Sequence, residues 1–491
     1  MVMIPRYFYS KPSVRSINII RKNRLLHDLR AKVSSNAVLV YSEVPNKSYI
    51  QIRGPDTVGF LNGLITSKLL PTFVKKNLTT IEVNKDLAQS DRANEEAPLF
   101  EEKKGNWGLY TAEGIHGPYI SRFGLYTAFL NGKGKLVTDS VIYPSPTIID
   151  SNTPKKFSNY PQYLLEFDKD IINRMLTSFE SHKLHNKIKF EENQNIKTWD
   201  FVLSFPGLSK NDPNPWMSNI YEPLSMMKST EDSNEFTKSF VSSLFPNTNN
   251  SILGLYIERR TDSLVEQDGT TPQFFRIITT NDVENIFDDF NSDAFPFTFE
   301  KQKVENDYFR ETRLALGLIN GTEDIIPDNM MPLELNFDFF PNTVNNDKGC
   351  YVGQELTART YSTGILRKRL IPIKFAEPLT SEIRSILKQS EKLPEIDIES
   401  ATEDSSTNEP QMAPSPFGNS STSGTMRSRK KAAGTLIASQ EHYGIAMIRT
   451  EHFKNLFDTD VPAQLYIKLD TEKIMIDAIR PMWYDHWKTQ Q

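Results

Sequence analysis

The octapeptide KGCYVGQE at 348–355 holds the only cysteine of this 491-residue chain. Upstream, Asn345, Asn346 and Asp347 are turn-forming residues, and downstream QELTART has good helix propensity. Cys350 is therefore expected in a glycine-flanked turn just ahead of a helix N-terminus. That position, with Lys348 two residues away, favours an anionic thiolate, the form that acts as nucleophile or metal ligand. Gly349 and Gly353 let the backbone bend sharply or come close to a ligand. Tyr351 is expected to pack, and Gln354 and Glu355 to hold the loop. The residues alone leave a second reading open, a cysteine buried as a small hydrophobe.

One thiol forms no intrachain disulfide, and by itself completes neither a Cys-only zinc site nor a four-cysteine cluster site. Cys350 works singly or with a partner. The histidines add no clear ligand set: seven are scattered, and the only helically spaced pair, His182 and His185, falls on a polar stretch.

The elements that position this turn are partly visible. Two β-rich segments from about Ala37 lead to Gly54-Pro55, and Asp56 is placed to cap a helix over 57–64. LYTAFLNGKGKLVTDSVIY (125–143) predicts a hairpin turning at Asn131-Gly132-Lys133-Gly134. Residues 163–190 predict strand, helix, strand. ILGLYIERR (252–260) predicts a strand, and 304–317 a helix ending at Gly317. Strand-like pieces at 369–375 and 432–449 flank a tract poor in aromatics and rich in Ser, Thr, Pro, Glu and Asn, expected to be disordered. Strand and helix signals interleave, which predicts an α+β body with mixed sheets. The expected division is a leader over 1–36, a body over 37–366 with polar insertions near 84–118 and 206–250, and a β-rich unit over 367–491 interrupted at about 376–431.

With 57 Lys+Arg against 62 Asp+Glu, the formal net charge is −5, which argues against binding nucleic acid by bulk electrostatics. No apolar run approaches the roughly 18 residues of a membrane span. Residues 1–41 carry eight Lys or Arg and Asp28 as their one acid. A basic, serine-containing, acid-poor stretch has the composition of a mitochondrial transit peptide, so the matrix is the expected location.

KGCYVGQE resembles the signature of the YgfZ-related family, whose mitochondrial branch assists iron–sulfur cluster assembly on the fold of the glycine-cleavage T-protein. IQIRGPDTVGFLNGLITSKL (50–69), the 125–143 hairpin, FRETRLALGL with EDIIPDNMMPLELNFD, AGTLIASQEHYGIAMIR and the RPMWYDHW tail are similar to further family segments. The resemblance implies an aminomethyltransferase-like, folate-binding fold with mixed sheets, completed by a C-terminal β-barrel. It implies a factor for [4Fe–4S] assembly acting with A-type scaffold proteins and client apoproteins. Within that role the single Cys350 thiolate is a candidate transient ligand of a cluster shared with a partner, or equally a relay of an electron or a sulfur species. It also implies a cleft for tetrahydrofolate, where Asp139 would face the pterin and Arg259 and Arg260 the glutamate tail. The T-protein hairpin typically carries an acidic pair, and here Thr138-Asp139 keeps one acid. The T-protein also has no cysteine at the position of Cys350, so the assembly branch is favoured. The competing readings are a folate-dependent one-carbon transferase, with Asp139 as its carboxylate, and a scaffold whose folate fold is a relic.

Overall fold

The computed structural model describes residues 36–69, 108–111, 117–149, 160–295, 297–345, 348–389, 392–399, 431–469 and 472–489. The basic stretch before Asn36, most of 84–118 and the tract 400–430 lie outside the described residues.

Two five-stranded sheets form the body. The first runs in the spatial order Ile252–Ile257, Gln273–Thr280, Ile196–Ser204, Asn36–Glu43 and Thr298–Lys303. Its last pair is parallel and the other pairs are antiparallel, so it is mixed. The second sheet is antiparallel, in the order Leu125–Leu130, Leu136–Pro144, Gln162–Asp168, Lys47–Arg53 and Lys189–Asn193. Leu125–Leu130 and Leu136–Pro144 are buried along both faces, as strands covered on two sides are. Six further strands close into a barrel: Lys368–Phe375, Tyr443–Arg449, Gly434–Ser439, Glu395–Ile398, Leu465–Leu469 and Glu472–Ala478. One apolar cluster runs from the body (Tyr49, Tyr143, Phe337) into the barrel (Leu370, Met447), so the two units share a core.

Several details differ from the sequence-based expectation. Asp56 does not cap the Thr57–Asn62 helix, and its carboxylate instead accepts the Lys187 amide at 2.6 Å. The polar segment 206–250 is not a loose insertion. Its helix Thr230–Leu244 is capped by the Ser229 hydroxyl, and Trp216, Ile220, Leu224, Val241 and Leu244 join the core beside the first sheet. Within 376–431, the helix Ser381–Gln389 and the barrel strand Glu395–Ile398 are ordered structure. The strand Ile252–Ile257 ends before Arg259 and Arg260, which are therefore not strand-borne.

Candidate functional site

The motif helix spans Gln354–Thr363, with Gly353 as its N-cap at φ 78°. Cys350 lies three residues ahead of that cap and is exposed. Lys348, Gly349 and Tyr351 around it are buried, so the chain goes inward, outward at Cys350, and inward again. Tyr351 belongs to the core shared with the barrel, and burial pushes its hydroxyl up to about 12.

Beneath the turn lies the segment Gly63–Ser67, which follows the Thr57–Asn62 helix. Thr66 Oγ1 donates to Thr343 O at 2.7 Å, and Asn345 N donates to Thr66 O at 3.1 Å. Lys348 Nζ donates to Ile65 O at 2.6 Å and Ser67 O at 2.7 Å, and Val352 N donates to Gly63 O at 3.0 Å. Lys348 thus points into the protein, away from its expected role as a charge for the thiol. Burial lowers its amine to about 7, and the Tyr351 ring lies 4.7 Å from Nζ. Gly353 sits against the predicted hairpin turn, where an added Cβ would lie 2.4 Å from Asn131 O. Gln354 begins the helix, and Glu355 points to solvent from its first turn.

Asp139, Arg259 and Arg260 lie elsewhere: both arginines line a central cleft with Tyr119, Phe123, Tyr126 and Tyr256. Asp139 borders a smaller adjoining cavity with Lys47, Glu166 and Asp168. Its carboxylate accepts from Tyr126 Oη at 2.9 Å and the Gly321 amide at 3.1 Å, and burial raises its pKa. Arg260 is buried against Glu258 through Nε (2.8 Å) and Nη2 (2.6 Å), donates to Ile319 O at 2.7 Å, and lies 3.9 Å from the Tyr126 ring centroid. Arg259 pairs with Asp262 at 2.7 Å and bonds the Tyr119 hydroxyl. Burial pushes Asp262 up to about 6. Among the described residues no group of three or more His, Cys, Asp or Glu is arranged to hold a metal ion.

Residues 412–486 match the model of the CAF17 C-terminal beta-barrel domain, in agreement with the closed six-stranded barrel. The chain is 59% identical to the iron–sulfur cluster assembly factor IBA57 homolog, mitochondrial, of Candida glabrata, over 98% of both chains. It is 45% identical to the iron–sulfur cluster assembly factor IBA57, mitochondrial, of Saccharomyces cerevisiae, covering 94% of this chain and 92% of that one. The chain belongs to the IBA57 family of mitochondrial iron–sulfur cluster assembly factors. The Kluyveromyces lactis homolog is 37% identical, over 90% of this chain and 92% of its own. The crystal structure of the glycine cleavage system aminomethyltransferase T from Bartonella henselae aligns at TM-score 0.45 and 9% identity, covering 93% of this chain and 89% of that one.

For this IBA57-family member, the residues assigned to tetrahydrofolate do not fit that ligand as they stand. A glutamate tail needs cations that can turn toward it, but Arg260 and Arg259 are each committed to a carboxylate of the chain itself. Freeing either would strand a buried acid, at a cost of several kcal/mol. Asp139 likewise has both oxygens engaged. Sequence reasoning missed the Gly63–Ser67 floor beneath Cys350. The available signal was the polar triplet Thr66-Ser67-Lys68 inside an otherwise apolar run, three polar side chains that burial obliges to find partners.

Proposed function

We propose that this mitochondrial iron–sulfur assembly factor acts in the matrix, in making or inserting [4Fe–4S] clusters, and that Cys350 exchanges as a cluster ligand with an A-type scaffold partner. Client apoproteins of the aconitase and lipoate- or biotin-synthase type would receive the product. The observation that carries this reading is the exposed Cys350 at the apex of a turn anchored on both sides. A single thiol offers one ligand and leaves the rest to the partner, which suits a site that must release what it holds. The described helices include none long and apolar enough to cross a membrane.

In cells lacking the chain, aconitase activity normalised to citrate synthase is expected to fall. Wild type restores the ratio, whereas Cys350→Ala leaves it at least about tenfold lower, since losing even the group that orients a metal ligand costs that much. Full rescue by Cys350→Ala sinks the ligand role and leaves the assembly role standing. A ratio unchanged by deletion sinks the [4Fe–4S] reading.

A further inference from the structure

Building on the reading of Cys350 as the exchanging thiol, we propose that Lys348 is a positioning residue: its buried amine ties the Cys350 turn to the Gly63–Ser67 segment, and the thiol's place at the surface depends on that tie. The two carbonyls it meets, Ile65 O and Ser67 O, belong to one short segment, and the Tyr351 ring covers another side of the amine. No carboxylate pairs with Lys348 among the described residues. Among those residues its burial is compensated by backbone acceptors and a ring face.

The leverage comes from sequence spacing. Lys348 and Tyr351 are inward anchors on either side of the exposed Cys350, with the buried Gly349 between the lysine and the cysteine. On the downstream side the turn is also held by the Val352 amide and by Tyr351 in the core. On the upstream side, among the described residues, further ties are at Thr343 and Asn345, five or more residues from the thiol. Removing the amine thus frees the upstream leg close to the sulfur while the body stays packed. It also leaves two carbonyls without their donor. Arginine is no substitute, because its planar fork does not fit a pocket built for a compact ammonium.

Because the chain has one cysteine, a nitroxide attached there reports this turn and nothing else. In the full-length protein, Lys348→Met is expected to convert the immobilised nitroxide spectrum to a mobile one, with circular dichroism unchanged. The pH midpoint for iodoacetamide alkylation of the unlabelled thiol should stay at its wild-type value. In the complementation assay, the aconitase ratio should drop by about tenfold. An unchanged line shape overturns the proposal. So does a displaced alkylation midpoint, which would mean that the lysine acts on the thiol by charge. If Lys348→Met fails to fold, Lys348→Arg keeps the charge but cannot seat its planar fork on Ile65 O and Ser67 O; there too a mobile spectrum supports the tether and an immobilised one overturns it. If Cys350→Ala complements fully, the exchanging-thiol reading fails, and the nitroxide spectra still decide the tether separately.

Discussion

Arg276→Met is expected to lower the folding free energy by about 3–5 kcal/mol, the usual consequence of removing one partner from a buried charge pair. Arg276 lies on the first sheet and joins it to the second. Its guanidinium meets Asp200 through Nε at 2.5 Å and Nη2 at 2.8 Å, and it also reaches Glu166 on the facing sheet. Glu166 further accepts from Tyr143 at 2.9 Å and Tyr49 at 3.4 Å, while Lys47 pairs with Asp168 at 2.5 Å. All these acids and Arg276 are buried. Methionine fills part of the volume but donates nothing, so Asp200 keeps Arg313 at 3.0 Å and loses its bidentate partner. Urea unfolding followed by tryptophan fluorescence checks this, since Trp199 pairs with Ile277 beside the lattice. A loss below about 1 kcal/mol, the value of an exposed pair, would mean that water reaches the lattice.

The same lattice sets a pH dependence. Although burial opposes its charge, Arg276 and then Arg313 hold Asp200 down at about 2. A carboxyl with a depressed folded pKa stabilises the fold above its unfolded value of about 3.9, and that contribution disappears as pH falls through the folded value. The gap between wild type and Arg276→Met should therefore be full at pH 7 and narrow between about pH 4 and pH 2. A gap that stays constant across this range would refute the assignment.

What was readable in the sequence divides along the range of the interactions. The 125–143 hairpin, the helix after Gly353 and the strand–helix–strand of 163–190 depend on local spacing and turn residues, and each forms. The destination of Lys348 depends on carbonyls 281 and 283 residues away, which no local pattern encodes. Charge proximity in sequence suggested the thiol instead. Composition misled at 206–250, where polar residues cover the outer faces of helices whose apolar residues face the core; Ser229-Thr230-Glu231-Asp232 was nonetheless a capping signal. The strand Glu395–Ile398 is four residues long and owes its existence to partners at Leu465–Leu469 and Gly434–Ser439. For the cleft, Asp139, Arg259 and Arg260 are polar in sequence and buried or half-buried in the fold, and their committed partners appear only in three dimensions.

Gly353→Ala is expected to abolish function and to cost about 2–5 kcal/mol of stability, combining left-handed backbone strain with overpacking. The new methyl would sit 2.4 Å from Asn131 O and 3.0 Å from Gly134 Cα, both backbone atoms that no rotamer change can move aside. The crowding is mutual, because a Cβ on Gly134 would meet Leu356 Cβ at 2.8 Å and Gly353 O at 2.9 Å. Hairpin turn and motif helix are therefore in backbone contact through two glycines. Relief requires the motif helix to lift from the hairpin, and the helix is continuous with the Cys350 turn. Gly364→Ala isolates the strain component. Gly364 caps the other end of the same helix at φ 66°, with open space where its Cβ would go. It should lose only about 1–2 kcal/mol and keep the aconitase ratio near wild type. Thermal unfolding and complementation at a temperature where both variants remain folded separate the two effects. If Gly353→Ala behaves like Gly364→Ala in both measurements, close seating of the motif helix on the hairpin is not what keeps the Cys350 turn in working position.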